Sequence, residues 1–250
     1  GGIPHFERTM TDGTESITTL CEIASARSLM IDMHCDESDD PMSRHIETLC
    51  KETIRLGLKG QVAGSHLTSM HSMDNYYVSK LLPLMNEAEI SVIANPLINI
   101  TLQGRHDTYP KRRGMTRVPE QISAGLNVSF GHDCVMDPWY PLGSHDMLDV
   151  AHMALHVAQM TGQRQMEQCF DAITYNPAKT LQLQKYGVQK GCKGDLVVLQ
   201  CRDPIEAIRL RPVRLYVIKR GKIISSTKPV SYDLNLSGKN FETDLIFRNQ

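Results

Sequence analysis

The chain has 250 residues and a formal charge of −1, with 41 % hydrophobic and 22 % charged residues, ordinary figures for a water-soluble globular fold. A near-neutral charge excludes a global field for nucleic acid or an anionic membrane, and no apolar run is long enough to span a bilayer. Seven cysteines without CxxC spacing exclude a disulfide framework and read as reduced thiols, which places the chain in the cytoplasm.

Gly1–Phe6 reads as the tail of a strand. After a turn at Asp12-Gly13, Ile17, Leu20, Cys21 and Ala24 recur at helical spacing. A strand follows at Leu29–Cys35. A second helix, marked by Ile46, Leu49, Cys50 and Ile54, ends near Gly57–Gly60. Gln61–His66 is a strand, Asp74–Ala88 a helix with a possible kink at Pro83, and Ile90–Asn95 a strand stopped by Pro96. Val118–Ala124 is a short helix, Asn127–His132 a strand, and Asp146–Met160 and Gln163–Thr174 are helices. Strand-then-helix units in succession predict an α/β fold with a parallel sheet. After residue 186 the texture changes to short β runs at Asp195–Leu199, Leu215–Lys219 and Lys222–Ser225. No helical period matches the earlier ones there. This predicts a β-rich appendage of about 65 residues, a usual subdomain size.

Three strands end in residues that carry chemistry: His34-Cys-Asp-Glu37, Ser65-His66 and Gly131-His-Asp133. Strand C-termini are where parallel barrels place their active sites. His34 offers an imidazole to a metal, and Glu37 can carry protons beside it. Glu37 is equally readable as part of a surface run of acids. His66 occupies the same place one βα unit later. Asp133 can bind a metal and accept a proton from its water, or serve as a turn residue like the nearby Asp137-Pro138. Trp139, the only tryptophan, is either core or an apolar wall for a flat ring. His71 and His132 read as supporting residues. His152 and His156 lack the Glu of HExxH. Lys111-Arg112-Arg113 reads as a solvated or subunit-contact patch. There is no GxSxG, P-loop or GxGxxG.

Five blocks carry a resemblance: His34-Cys-Asp-Glu37-Ser-Asp-Asp, Ser65-His66-Leu-Thr-Ser-Met-His71, Asn95-Pro-Leu-Ile-Asn-Ile-Thr-Leu-Gln-Gly-Arg105, Asp107-Thr-Tyr-Pro-Lys-Arg-Arg113 and Gly131-His-Asp-Cys-Val-Met-Asp-Pro-Trp-Tyr-Pro141. They resemble the bacterial cytosine deaminases of the amidohydrolase superfamily. Tyr175–Leu181 and Lys193–Leu199 resemble C-terminal signatures of that superfamily. The resemblance implies the C-terminal part of a metal-dependent (β/α)8 TIM barrel over residues 1–183, with a small β-sandwich over 184–250. It implies one divalent ion, Fe(II) or Zn(II), with His34 and Asp133 as metal ligands. Glu37 would be the proton shuttle. His66 would hydrogen-bond the metal-bound water or the oxyanion, and Asp133 would deprotonate that water. Cys134 and Trp139 would contact the substrate. The implied reaction turns a free pyrimidine base into a uracil plus ammonia. Another cyclic amidine, isoguanine or creatinine, fits the same constellation, and an inactive half-barrel scaffold is the alternative from another class. The implied partners are the small-molecule base and further copies of the chain in a homo-oligomer, with no nucleic acid and no membrane.

Two departures from the pattern stand out. No pair among the ten histidines has the spacing His-x-His, so the family's first two metal ligands and its substrate-binding Gln belong before Gly1. The 250 residues alone are therefore expected to bind metal poorly and to be inactive. Second, cytosine deaminases often carry Asp directly after the metal-binding Asp, where this chain has Cys134. A smaller, neutral side chain opens space for a methyl group, worth on the order of 1 kcal/mol. This suggests that 5-methylcytosine is accepted; the other reading is neutral drift within an ordinary cytosine deaminase.

Overall fold

The computed structural model describes residues 1–236 and 239–243. Residues 237–238 and 244–250 of the expected β-rich appendage lie outside the described residues. The chain divides into two compact units, Gly1–Leu183 and Gln184–Gln250.

The first unit is built from α1 (Met10–Ala26), β1 (Ile31–Cys35), α2 (His45–Arg55), β2 (Val62–His66), α3 (Asn75–Glu87), β3 (Ser91–Ala94), α4 (Pro96–Leu102), α5 (Val118–Ser123), β4 (Asn127–Phe130), α6 (Met147–Val157), α7 (Gln163–Asp171) and α8 (Tyr175–Thr180). The four strands form one parallel sheet in the order β1-β2-β3-β4. Cys35 lies opposite His66 and Ala94 opposite Phe130, so the strand tips line up on one edge. Every residue of β2 is buried, the pattern of an inner parallel strand covered on both faces. Helix α2 explains one of those covers. Ile46, Leu49, Cys50 and Thr53 recur at helical spacing and are all buried. On the outer side of β1, Gly2 bridges Met33 in parallel, and the His34 amide donates to the Gly2 carbonyl at 2.9 Å. The expected strand tail is thus a single bridge before a 3-10 turn at Pro4–Phe6.

Two expectations need correction. Asp12-Gly13 is not a turn. Thr9 caps α1 by accepting from the Asp12 amide, and Gly13 lies inside the helix. The reason for a glycine is close packing: a Cβ there would sit 2.2 Å from His45 Nε2 and 2.7 Å from the Pro4 carbonyl oxygen. Gly13→Ala is expected to cost about 1–3 kcal/mol by overpacking, despite alanine's better helix propensity. A urea midpoint at or above wild type would contradict this. Second, Pro96 does not merely stop a strand. It opens α4 at the first helical position, where its missing N–H costs nothing. The second unit, expected to be β-rich, holds a short helix beside its strands.

That second unit contains β5 (Leu196–Leu199), α9 (Pro204–Leu210), β6 (Arg214–Lys219), β7 (Lys222–Ser226), β8 (Tyr232–Leu236) and β9 (Lys239–Thr243). Asp203 caps α9 by accepting from the Glu206 amide. The helix is only seven residues long, too short for its period to register in the sequence. β5, β6 and β7 form an antiparallel sheet, and β8 pairs antiparallel with β9.

Candidate active site

At or just beyond three of the aligned strand tips the backbone turns through the left-handed region: Asp36 (φ 53°), His66 (φ 72°) and Asp133 (φ 63°). Such positions cost about 1–3 kcal/mol for a residue with a side chain and persist where surrounding contacts over-determine them. For Asp36 those contacts are visible. Its fully buried carboxylate accepts from Ser43 Oγ, the His45 amide and the Ile46 amide, each at 2.9 Å, and pairs with His45 Nδ1 at 2.9 Å. It thereby caps α2 from nine residues upstream and fixes the loop that carries Glu37. Burial pushes the Asp36 carboxyl up, but the His45 imidazole and the Ile46 and His45 amides outweigh it and hold it below the usual range.

Four of the expected residues come together. His34 Nδ1 is 2.9 Å from His66 Nε2. Glu37 Oε1 is 3.2 Å from His66 Nδ1, and Asp133 Oδ2 is 3.6 Å from His66 Nε2. His34, Glu37 and His66 each offer one ligand atom within 4.8 Å of the others. Imidazole and carboxylate donors in this arrangement suit a borderline divalent ion such as Zn(II) or Fe(II). Asp133 stands outside that triplet but faces it across His66. A cleft of about 630 Å³ opens over the group, lined by His34, Glu37, Asp133, Cys134, Trp139 and Ile98. Trp139 is 60 % exposed, so it is not core. Its position is set by Asp137, whose carboxylate accepts from the Trp139 and Tyr140 amides at 2.9 Å.

The electrostatics follow from burial. Burial pushes Glu37 up to about 7, helped by the Asp133 charge and opposed by the Asn99 amide. A carboxyl in that range can take and release a proton near neutrality. Burial, with His34 and His5 nearby, drives His66 down to about 3, so its ring is neutral. Burial likewise raises Asp133, opposed by His34. Burial and the Asp137 and Asp133 carboxylates push Cys134 up to about 12, which keeps it a neutral thiol.

The basic run is exposed, as a solvated patch would be, but its side chains are held by the chain itself. Arg112 Nε donates to Asp107 Oδ2 at 2.8 Å and Nη1 to the Asp39 carbonyl at 2.9 Å, while Lys111 Nζ donates to the Gly104 carbonyl at 2.8 Å. The run fastens the segment after α4 onto the loop after β1. Sequence reasoning also passed over Asn95, Asn99 and Asp36. The first two were visible only as part of a resembling block, although an Asn-Pro-x-x-Asn step across a strand end is itself a positional signal. Asp36 was hidden among neighbouring acids.

A profile described as "Amidohydrolase family" matches residues 1–225. The chain belongs to the amidohydrolase family. Among solved structures, this amidohydrolase chain is similar to 5-methylcytosine deaminase from Klebsiella pneumoniae liganded with phosphonocytosine, at 41 % identity and TM-score 0.89, covering 91 % of this chain and 56 % of that one. N-isopropylammelide isopropylaminohydrolase from Burkholderia multivorans superposes with TM-score 0.78 at 25 % identity, covering 90 % of this chain and 54 % of that one. Among curated relatives, pterin deaminase from Rhizobium rhizogenes is 28 % identical, covering 84 % of this chain and 48 % of the relative. The chain spans about half the length of the curated relatives it matches.

Proposed function

We propose that this amidohydrolase chain supplies the later strands of a metal-dependent (β/α)8 barrel and its β-rich appendage, residues 1–183 and 184–250. We further propose that the protein hydrolytically deaminates a free pyrimidine base, cytosine or 5-methylcytosine, to uracil or thymine plus ammonia. The observation that carries the reading is the convergence of Glu37, His66 and Asp133 beside His34 in one cleft walled by Trp139. The 41 % identity to a 5-methylcytosine deaminase supports it.

His34 and Asp133 would hold one divalent ion, Fe(II) or Zn(II), which when bound makes water a nucleophile at neutral pH. The residues of the chain do the rest. Trp139 presents a flat apolar face to the ring. Glu37 protonates the ring nitrogen next to the attacked carbon, so that charge does not build on the ring, then takes the proton of the newly added hydroxyl and delivers it to the departing amine as the carbon–nitrogen bond breaks. Asp133 accepts the proton of the attacking water. His66 stabilises charge at the oxygen forming on that carbon. The seven free cysteines support a reducing compartment such as the cytoplasm. No described helix is long and apolar enough to cross a membrane.

Cys134 lies against Asp133, its Sγ 3.8 Å from Asp133 Oδ1, on the lining of the cleft. Cys134→Asp is expected to lower kcat/KM for 5-methylcytosine relative to cytosine by about fivefold to tenfold, the worth of one methyl contact. An unchanged ratio removes the methyl-accepting role.

The deciding assay measures ammonia release from cytosine and 5-methylcytosine by metal-loaded protein, both as the 250-residue chain and as the complete translation product of its gene. Turnover of either base supports the reading. The pterin deaminase relative favours a second reading, another cyclic amidine. Turnover of such a ring alone would establish it, and no turnover with no bound metal would leave a scaffold.

A further inference from the structure

Behind His66, on the side away from Asp133, stand two buried asparagines. Asn95 follows β3 and is 4 % exposed, and Asn99, in α4, is fully buried. Asn99 Nδ2 is 3.0 Å from His66 Nδ1, and Asn95 Nδ2 is 3.3 Å from the same atom. The orientation of the Asn99 amide is fixed from outside the site. The backbone N–H of Asn95 donates to the Asn99 side chain at 3.1 Å, and a peptide N–H can only donate. The atom it meets is therefore the carbonyl oxygen, and the atom facing His66 is the amide nitrogen. That nitrogen also only donates and, at 3.0 Å, lies closer to His66 Nδ1 than Glu37 Oε1 at 3.2 Å, so Nδ1 accepts from it and Glu37 faces Nδ1 as the protonated carboxyl. Space for this arrangement comes from Gly131, where a Cβ would stand 2.3 Å from Asn95 Oδ1.

We propose that Asn99 is the positioning residue of this site, holding the His66 ring in the tautomer protonated at Nε2. The neutral ring then presents its one N–H to the side occupied by His34 and Asp133, as a fixed donor toward the reacting oxygen. The same amide reaches Glu37 Oε1 at 3.4 Å. One side chain thus orients the donor and the carboxyl on either side of it. The inference rests on the proposed deaminase site for its purpose, but its test does not need turnover.

The experiment is long-range 1H–15N correlation on histidine-labelled 250-residue chain, which distinguishes a bare from a protonated ring nitrogen. Wild type is expected to show His66 with Nδ1 bare and Nε2 protonated. Asn99→Asp keeps the oxygen that accepts from Asn95 but turns the second atom into an acceptor, and is expected to move the ring proton to Nδ1. Asn99→Ser, which withdraws the amide nitrogen altogether, is expected to give a mixture of tautomers and serves if the aspartate variant does not fold. A wild-type ring protonated at Nδ1, or variants with the wild-type pattern, would overturn the proposal whether or not the protein deaminates anything. Where the complete protein turns over a base, Asn99→Asp is expected to lower kcat about 10²-fold with KM within about threefold. If the tautomer moves while no base is turned over, the tautomer assignment stands and the deaminase reading alone fails.

Discussion

Glu37→Gln is expected to lower kcat by about 10²–10⁴-fold while leaving KM, metal content and the unfolding midpoint close to wild type. The substitution is isosteric. A glutamine can still offer Asn99 an oxygen, and Glu37 makes no contact that the fold depends on comparably to those of Asp36. What it removes is a carboxyl, held near neutral pKa by burial, that would give one proton to the ring nitrogen and relay a second to the leaving amine. Parallel measurements of kcat, metal stoichiometry and urea midpoint separate this from a ligand role. A variant that loses bound metal along with kcat would make Glu37 part of the cation site, in keeping with its place in the His34, Glu37, His66 triplet.

Asp36→Ala is expected to destabilise the chain by about 3–5 kcal/mol, the largest stability effect of any single substitution considered. Four donors would lose their acceptor at once: the Ser43 hydroxyl, the His45 and Ile46 amides and the His45 ring. His45 is pressed against Gly13 on its other side and has no room to turn toward a substitute. Asp36→Asn, which retains one acceptor oxygen, should lie between the two. Urea unfolding of the three proteins measures the series. A loss below about 1 kcal/mol for alanine would show that the loop finds other partners.

Much of the sheet was legible because its strands are short apolar runs between long periodic helices, and because each ends in a residue type that strands disfavour. His34, Glu37, His66 and Asp133 were found by that rule, and the structure gathers them. What escaped lies in elements too short to show a period, α4, α8 and α9, and in contacts that no spacing encodes. The Asp12-Gly13 reading failed because glycine usually marks a turn, whereas here it marks a close approach between α1 and the start of α2. Asp36 was indistinguishable from its acidic neighbours Glu37, Asp39 and Asp40, since only the fold decides which one turns inward. Arg112 is the surface charge that it looked like, but its bond to the Asp39 carbonyl joins two loops that no spacing in the sequence connects.

The cleft has two unlike sides. The β1 and β2 side is anchored by the buried Asp36 carboxylate, which meets four donors, so an exchange at that position carries a multi-kcal/mol penalty. On the β4 side, Met136, Trp139 and Leu142 are 80 %, 60 % and 64 % exposed, and substitutions at such positions usually change stability by about 0.5 kcal/mol or less. Variation in which ring is accepted can therefore accumulate at the exposed positions between residues 134 and 142, the buried Tyr140 aside, with little loss of fold. Libraries aimed at new substrates should be confined to that stretch, with the β1 loop left untouched.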